Sequence, residues 1–303
     1  MPDSLNRPWR MLLPLGVIVL LALLWTIYWF IASGIAKERF AEERAGAAIR
    51  GITLICATES WGGYPFRFEF SCSSPVLSLE NHAEFRSSAL LLTALAYAPW
   101  QIVALVDGPS SFSGKAVFPT RVDHQRAVAS LTFDSGRPPR LSADVMALSV
   151  EGQGTAAQVM LHTRPSTSGG IDVAVSVKNM NFQPPGNPPL VITQGDLLAT
   201  LTTDRSLNVE RVSLRQETVQ YWGSGAIALD AQNRPVGKLD TATNDLDGLL
   251  KILGPHLQLT ADQQAGLRSM LGLLGNEAKA PLIARDGALY LGPFKLTGIH
   301  PLY

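Results

Sequence analysis

Charge is scarce in this sequence. Asp, Glu, Lys and Arg make up 17% of 303 residues, against roughly 25% in a typical soluble domain. The 25 basic residues balance 25 acidic ones, so no net field gathers a polyanion, and nucleic acid is excluded as a partner. Cysteine is nearly missing too. Cys56 and Cys72 stand alone, without a Cys-x-x-Cys or a histidine pair to complete a zinc site. The histidines, His82, His124, His162, His256 and His300, fall in no metal-binding spacing. No Walker loop occurs, and Gly152-Gln153-Gly154 lacks a third glycine. Trp222-Gly223-Ser224-Gly225 lacks the first glycine of a nucleophile elbow. Asp245 and Asp247 sit near a helix start, where capping accounts for them. These gaps predict a protein without cofactor or metal, and not an enzyme. Apolar residues are plentiful at 46%, which argues against disorder.

The apolar residues are concentrated first at the N-terminus. No charge interrupts residues 11–36, and about 22 helical residues cross a ~30 Å hydrocarbon core. Trp9 at one end and Trp25, Tyr28 and Trp29 at the other suit the two headgroup interfaces. The spacing predicts a tail over 1–10, a retained anchor over 11–33 and a membrane-proximal helix over 34–50. A cleaved signal peptide is the rival, with Arg7 and Arg10 before the run and Gly34-Ile35-Ala36 after it. Signal h-regions, however, run only about 7–15 residues. Basic residues flank both ends, so charge does not set the orientation.

The cysteines bear on it. Residues 52–56 and 66–72 alternate as strands around the turn-forming Trp61-Gly62-Gly63-Tyr64-Pro65. A hairpin setting Cys56 opposite Cys72 places Leu54 beside Ser74 and Thr58 beside Phe70, and a cross-strand disulfide fits that parity. Buried free thiols or a reactive pair are the alternatives. A disulfide implies a domain outside the cytoplasm, which leaves the short basic tail inside.

Strands follow at 101–106, 127–133, 143–150, 157–163 and 171–177, then at 197–203, 209–220 and 226–229, each bounded by Gly, Pro, Ser or Asp. Without inserted helices they favour an antiparallel meander. Pro184, Pro185, Pro188 and Pro189 force an extended loop and mark a candidate boundary at 183–190. Leucines at helical spacing cover 245–253. Thr260-Ala261-Asp262-Gln263 forms a capping box ahead of Leu267, Met270, Leu271 and Leu274. Residues 282–292 read as a hairpin turning at Asp286-Gly287. The fold expected is mainly β with minor α: a transmembrane helix, then over 51–303 a long curved antiparallel sheet with two C-terminal helices packed on it.

Trp61-Gly62-Gly63-Tyr64-Pro65-Phe66-Arg67 between Cys56 and Cys72 resembles a bacterial family known as domain of unknown function 2125. So do Trp222-Gly223-Ser224-Gly225, Gln232-Asn233-Arg234-Pro235-Val236-Gly237, Arg285-Asp286-Gly287 and Leu291-Gly292-Pro293. The resemblance implies a singly anchored envelope protein of alphaproteobacterial type with no established activity. The C-terminal part is similar in style to AsmA-like envelope proteins, which implies a curved sheet that holds lipid.

Two roles suit the 61–67 loop. It is a rigid turn with Tyr64 and Phe66 packed inward, or Trp61, Tyr64, Phe66 and Arg67 touch membrane lipid or a partner. The leucines at 267–274 are core, or a lid over an apolar groove. The expectation is an inner-membrane-anchored periplasmic protein binding lipid or another apolar ligand. The alternative is a structural or scaffolding part of an envelope complex with a protein partner.

Overall fold

The computed structural model describes residues 9–79, 83–114, 117–167, 169–184, 186–204, 206–257, 261–271, 278–299 and 301. Most of the expected tail over 1–10, together with His82, Pro185, Thr260, Leu274 and His300, lies outside them, as do the side chains of Trp9, Leu267, Met270 and Leu271. Helix α1 (Trp9–Ile49) runs unbroken through the expected anchor and membrane-proximal helix, with Pro14 near its start. Gly51, at φ 76°, ends it in the left-handed conformation glycine tolerates.

Among the described residues twenty strands follow, all paired antiparallel. The first five short ones are β1 (Thr53–Ile55), β2 (Thr58–Gly62), β3 (Arg67–Ser73), β4 (Val76–Ser78) and β5 (Glu84–Arg86). Then come β6 (Ala89–Leu95), β7 (Ala98–Asp107), β8 (Ser110–Gly114), β9 (Val117–Asp123) and β10 (Arg126–Thr132). Longer strands build the centre: β11 (Arg140–Val150), β12 (Gly154–Pro165), β13 (Ile171–Phe182) and β14 (Leu190–Leu201). The sheet continues with β15 (Leu207–Gln216), β16 (Val219–Leu229) and β17 (Pro235–Thr243). Helices α2 (Leu246–Leu257) and α3 (Ala261–Leu271) precede β18 (Ala278–Arg285), β19 (Ala288–Leu291) and β20 (Phe294–Gly298).

The main path of the sheet is β2-β3-β6-β7-β10-β11 and then each successive strand to β20. A second branch, β1-β4-β5-β8-β9, rejoins it where β9 meets the end of β11. The branch exists because five passes of the chain are each broken at the same level. The breaks fall at Cys56-Ala57, Ser74-Pro75, Ser87-Ser88, Gly108-Pro109 and His124-Gln125, neighbours across the sheet. The amide of Ser74 donates to Ser88 O and that of Ser88 to Asp107 O, at 2.9 and 3.2 Å. The line continues through Ala147 (φ 52°) and Asn179 (φ 47°), where pairing skips a residue on both sides. A crease therefore crosses the sheet, and each broken ladder gives it freedom to bend.

Several expectations need correction. The first hairpin pairs Glu59 with Cys72 and Trp61 with Phe70, while Leu54 lies opposite Leu77. The register is displaced because the turn is closed by Arg67 N donating to Gly63 O (2.8 Å), which moves its centre past Tyr64. Gly63 sits at φ 99°, and a Cβ there would meet Arg67 O at 2.6 Å, so only glycine fits. The strand expected at 209–220 is two strands split at Glu217 (φ 52°), and the piece at 226–229 is the end of β16. Strands β4 to β6, β8, β9, β17 and β20 add to those expected. The prolines at 184–189 form the connection between β13 and β14, which pair along their lengths on either side of it.

Candidate functional site

The register puts one continuous apolar face across the sheet. On β3 it carries Phe68, Phe70 and Cys72, opposite Ala94, Leu92 and Leu90 of β6. Ile102, Ala104 and Val106 continue it on β7, and Leu131, Ala129 and Ala127 on β10. Leu141, Ala143 and Val145 meet Thr163, Leu161 and Val159, then Val173, Val175 and Val177. Leu197, Val212, Leu239 and Leu282 carry the same face on toward β18. The other face of the centre is mostly polar, with Gln158, His162, Lys178, Ser176, Asp172, Gln194, Asp196 and Arg211 beside Met160, Ala174 and Leu198.

The described helices meet the apolar face at its ends. Phe68 is packed under Trp29 of α1, and Leu250 of α2 lies on Ala278 and Ala280. Between them, on β10 to β13, Leu131, Leu141, Val145, Val159, Leu161, Val173 and Val175 are all only half-buried. We call this aliphatic face, covered by helices at its ends and half-exposed along its middle, the trough. Past the crease it deepens into a concavity of about 150 Å³ formed by Leu148, Val150, Ala156, Val159, Met180 and Phe182.

The first end of the trough is built on the anchor. The β2–β3 hairpin descends along α1 and returns. Glu59 pairs with Arg44 at 2.8 Å, Trp61 packs edge-on against Phe40, and Tyr64 and Phe66 reach Trp29 and Trp25. Four hydrogen bonds fix the tip. Trp25 Nε1 donates to Pro65 O and Trp29 Nε1 to Arg67 O, both at 2.9 Å. Tyr28 OH donates to Ala96 O at 2.8 Å, and Thr26 Oγ1 shares a proton with Tyr64 OH at 2.9 Å. The two sets of aromatics that lie far apart in sequence therefore meet. Trp25, Tyr28 and Trp29 hold the domain, and Trp29 is 7% exposed. Trp61 lies between Phe40 and Phe70 with Lys37 over its ring, while Arg67 pairs with Glu69. Tyr64 and Phe66 make ring contacts yet stay 53% and 59% exposed. Trp9 opens α1.

Cys56 and Cys72 are joined, with their Cα atoms 5.3 Å apart. The bridge ties the chain between β1 and β2 to the buried Cys72 beside Phe70. Among the described residues no group of three His, Cys, Asp or Glu is placed to hold a metal.

A polar cluster without a signal in the sequence lies at the crease. Ser87 donates to Asp107 O, Ser110 Oγ donates to Ser87 Oγ at 3.2 Å, and Ser110 Oγ lies 2.9 Å from His124 Nε2. Both serines are buried, so neither hydroxyl meets solvent as a nucleophile would need to. On the polar face, hydroxyls of Ser166 and Thr200 and the Arg164 guanidinium hold the Asp172 carboxyl below its ordinary range. Burial in the trough pushes the Tyr221 phenol up.

No curated protein and no solved structure matches the chain. A family model described as an uncharacterized protein conserved in bacteria, DUF2125, matches residues 29–300. It begins at Trp29, one turn after the anchor's first contact with the domain at Trp25, and ends beyond β20. The chain belongs to this bacterial family.

Proposed function

We propose that this is a membrane-tethered lipid-binding protein of the bacterial envelope, without enzymatic activity, whose trough receives the apolar part of its ligand. The observation carrying the proposal is the aliphatic face of β10 to β13, half-exposed along the open middle of the sheet. An apolar surface of that extent, rimmed by polar residues, favours a ligand over water. The end filled by α2 and α3 suits a scaffolding protein, but the open centre favours binding. Among the described residues one helix is long and apolar enough to cross a membrane, and the Cys56–Cys72 bridge supports an oxidising compartment for the domain. On this reading the anchor sits in the inner membrane and the sheet in the periplasm.

The test is a photoreactive benzoylphenylalanine placed in the full chain at Val175 or, on the opposite face, at Ser176. After irradiation in cells, mass spectrometry should find lipid adducts at position 175 and none at 176. Adducts at neither position, or equally at both, would overturn the proposal.

A further inference from the structure

The free length of the anchor is too short. Arg10 is the last charge before the apolar run, and Trp25 is the first residue hydrogen-bonded to the domain. The residues between, 11–24, rise only about 21 Å as a helix, and a hydrocarbon core is ~30 Å thick. In a bilayer that is not thinned, the missing ~9 Å comes from the turns of helix on which the sheet is hung. Lys37, the first charge after the run, lies about 18 Å beyond Trp25 along the axis.

The part of the sheet at that depth has the composition such a place demands. The β2–β3 turn over 61–66 and the β6–β7 turn over 95–100 contain no charged residue. Tyr64, Phe66, Tyr97 and Trp100 there are each more than half exposed. Backbone carbonyls bare to lipid cost several kcal/mol each, and five of those at this edge are covered. Gly63 O accepts from Arg67 N, and Phe66 O from Ala96 N. Pro65 O, Arg67 O and Ala96 O accept from Trp25, Trp29 and Tyr28. Charge returns at the third turn on this edge, with Asp134, Arg137 and Arg140, where the twist of ~20–25° per strand lifts the sheet away from the anchor axis.

We infer that the β2–β3 and β6–β7 turns are embedded in the acyl region of the leaflet on the domain's side, so that a helix and a sheet edge enter the bilayer together. The inference rests on α1 spanning a membrane and is independent of whether the trough holds lipid. It gives the aromatic tip a lipid partner.

The experiment uses the full chain, with its disulfide intact, in vesicles of phosphatidylethanolamine and phosphatidylglycerol. Single nitroxide labels are attached through Phe66→Cys, Tyr97→Cys, His162→Cys on the polar face, and Ile18→Cys in the free anchor. Labels at 66, 97 and 18 should collide with oxygen more often than with a water-soluble nickel chelate, and the label at 162 the reverse. Labels at 66 and 97 that behave like 162 while 18 stays in lipid would overturn the inference and mean a thinned bilayer. A water-exposed label at 18 would instead remove the spanning helix, and the inference with it. In the unsubstituted chain, a lipid with a diazirine on its acyl tail should label Tyr64, Phe66 or Tyr97 and spare the exposed Phe112 of β8. Equal labelling of Phe112 would count against the inference.

Discussion

Replacing Trp29 by Phe separates a hydrogen bond from the ring that carries it. The indole is 7% exposed, packs against Tyr64 and Phe68, and donates to Arg67 O at 2.9 Å. Phe keeps most of the aromatic packing and removes the donor, so the Arg67 carbonyl loses its partner. A polar group left bare costs about 1–3 kcal/mol, toward the upper end where water is excluded. The hairpin tip would then open about five- to 150-fold more often, since each ~1.4 kcal/mol is a factor of ten. Trp29→Ala removes the ring as well, for a loss of about 3–5 kcal/mol. Amide hydrogen exchange in vesicles reads the effect at two protected donors, Arg67 N and Ala96 N. Exchange should accelerate there in Trp29→Phe, more so in Trp29→Ala, and stay unchanged for the β13–β14 ladder around Val175. Unchanged rates at the tip, or equal acceleration throughout the sheet, would refute the idea that Trp29 holds the domain through this bond.

A carboxylate in the trough, Val175→Asp, should strip co-purifying lipid from the full chain while leaving its circular dichroism intact; undiminished lipid would count against the trough. Reducing the Cys56–Cys72 bridge, which closes a loop of 16 residues in separation, should cost ~3 kcal/mol. At ~2–4 °C per kcal/mol for a domain near this size, Tm should fall by about 6–12 °C, and an unmoved Tm would refute that. The Asp172 carboxyl is held below its ordinary value by Ser166, Thr200 and Arg164. Its contribution is therefore complete above the ordinary carboxylate range and lost as pH falls through the lowered folded value. Urea unfolding near pH 7 and again near pH 3 should show Asp172→Asn losing less stability on acidification than the parent chain, and an equal loss would contradict the assignment.

What the sequence discloses depends on how each segment alternates. Val159, Leu161, Val173 and Val175 stand at every second position beside Gln158, Met160, Ser176 and Lys178, so β12 and β13 are legible as two-faced strands. The run 89–95, Ala-Leu-Leu-Leu-Thr-Ala-Leu, has no such alternation, because both faces of β6 carry apolar residues, and its strand stays hidden. Glu217 adopts a left-handed turn that favours Gly or Asn, so β15 and β16 read as one strand. The expected hairpin register fails on the turn geometry between Gly63 and Arg67, although the disulfide stands. The site itself is half visible. The tip aromatics announce themselves, but their partners Trp25, Tyr28 and Trp29 lie some forty to seventy residues away in sequence and look like a headgroup belt. The open trough cannot be read at all, since alternation shows a face is apolar without showing what covers it.

The dimensions limit what such a trough can do. From β3 to β18 it crosses eleven strand-to-strand steps of about 4.8 Å, or roughly 50 Å along the sheet. That exceeds the ~30 Å thickness of a whole hydrocarbon core, so acyl chains drawn from one leaflet fit within it. The strands beside α1 run along the helix axis, because the hairpin descends from Arg44 to Trp25 and climbs back to Phe40. The trough therefore leaves the anchor sideways before twist turns it, and its far end is closed by α2 on Ala278 and Ala280. A conduit would need to be open at both ends. Covered by α1 at one end and α2 at the other, the trough we propose would hold an apolar ligand near the membrane, and handing it on would require a helix to move or a partner to approach the open middle.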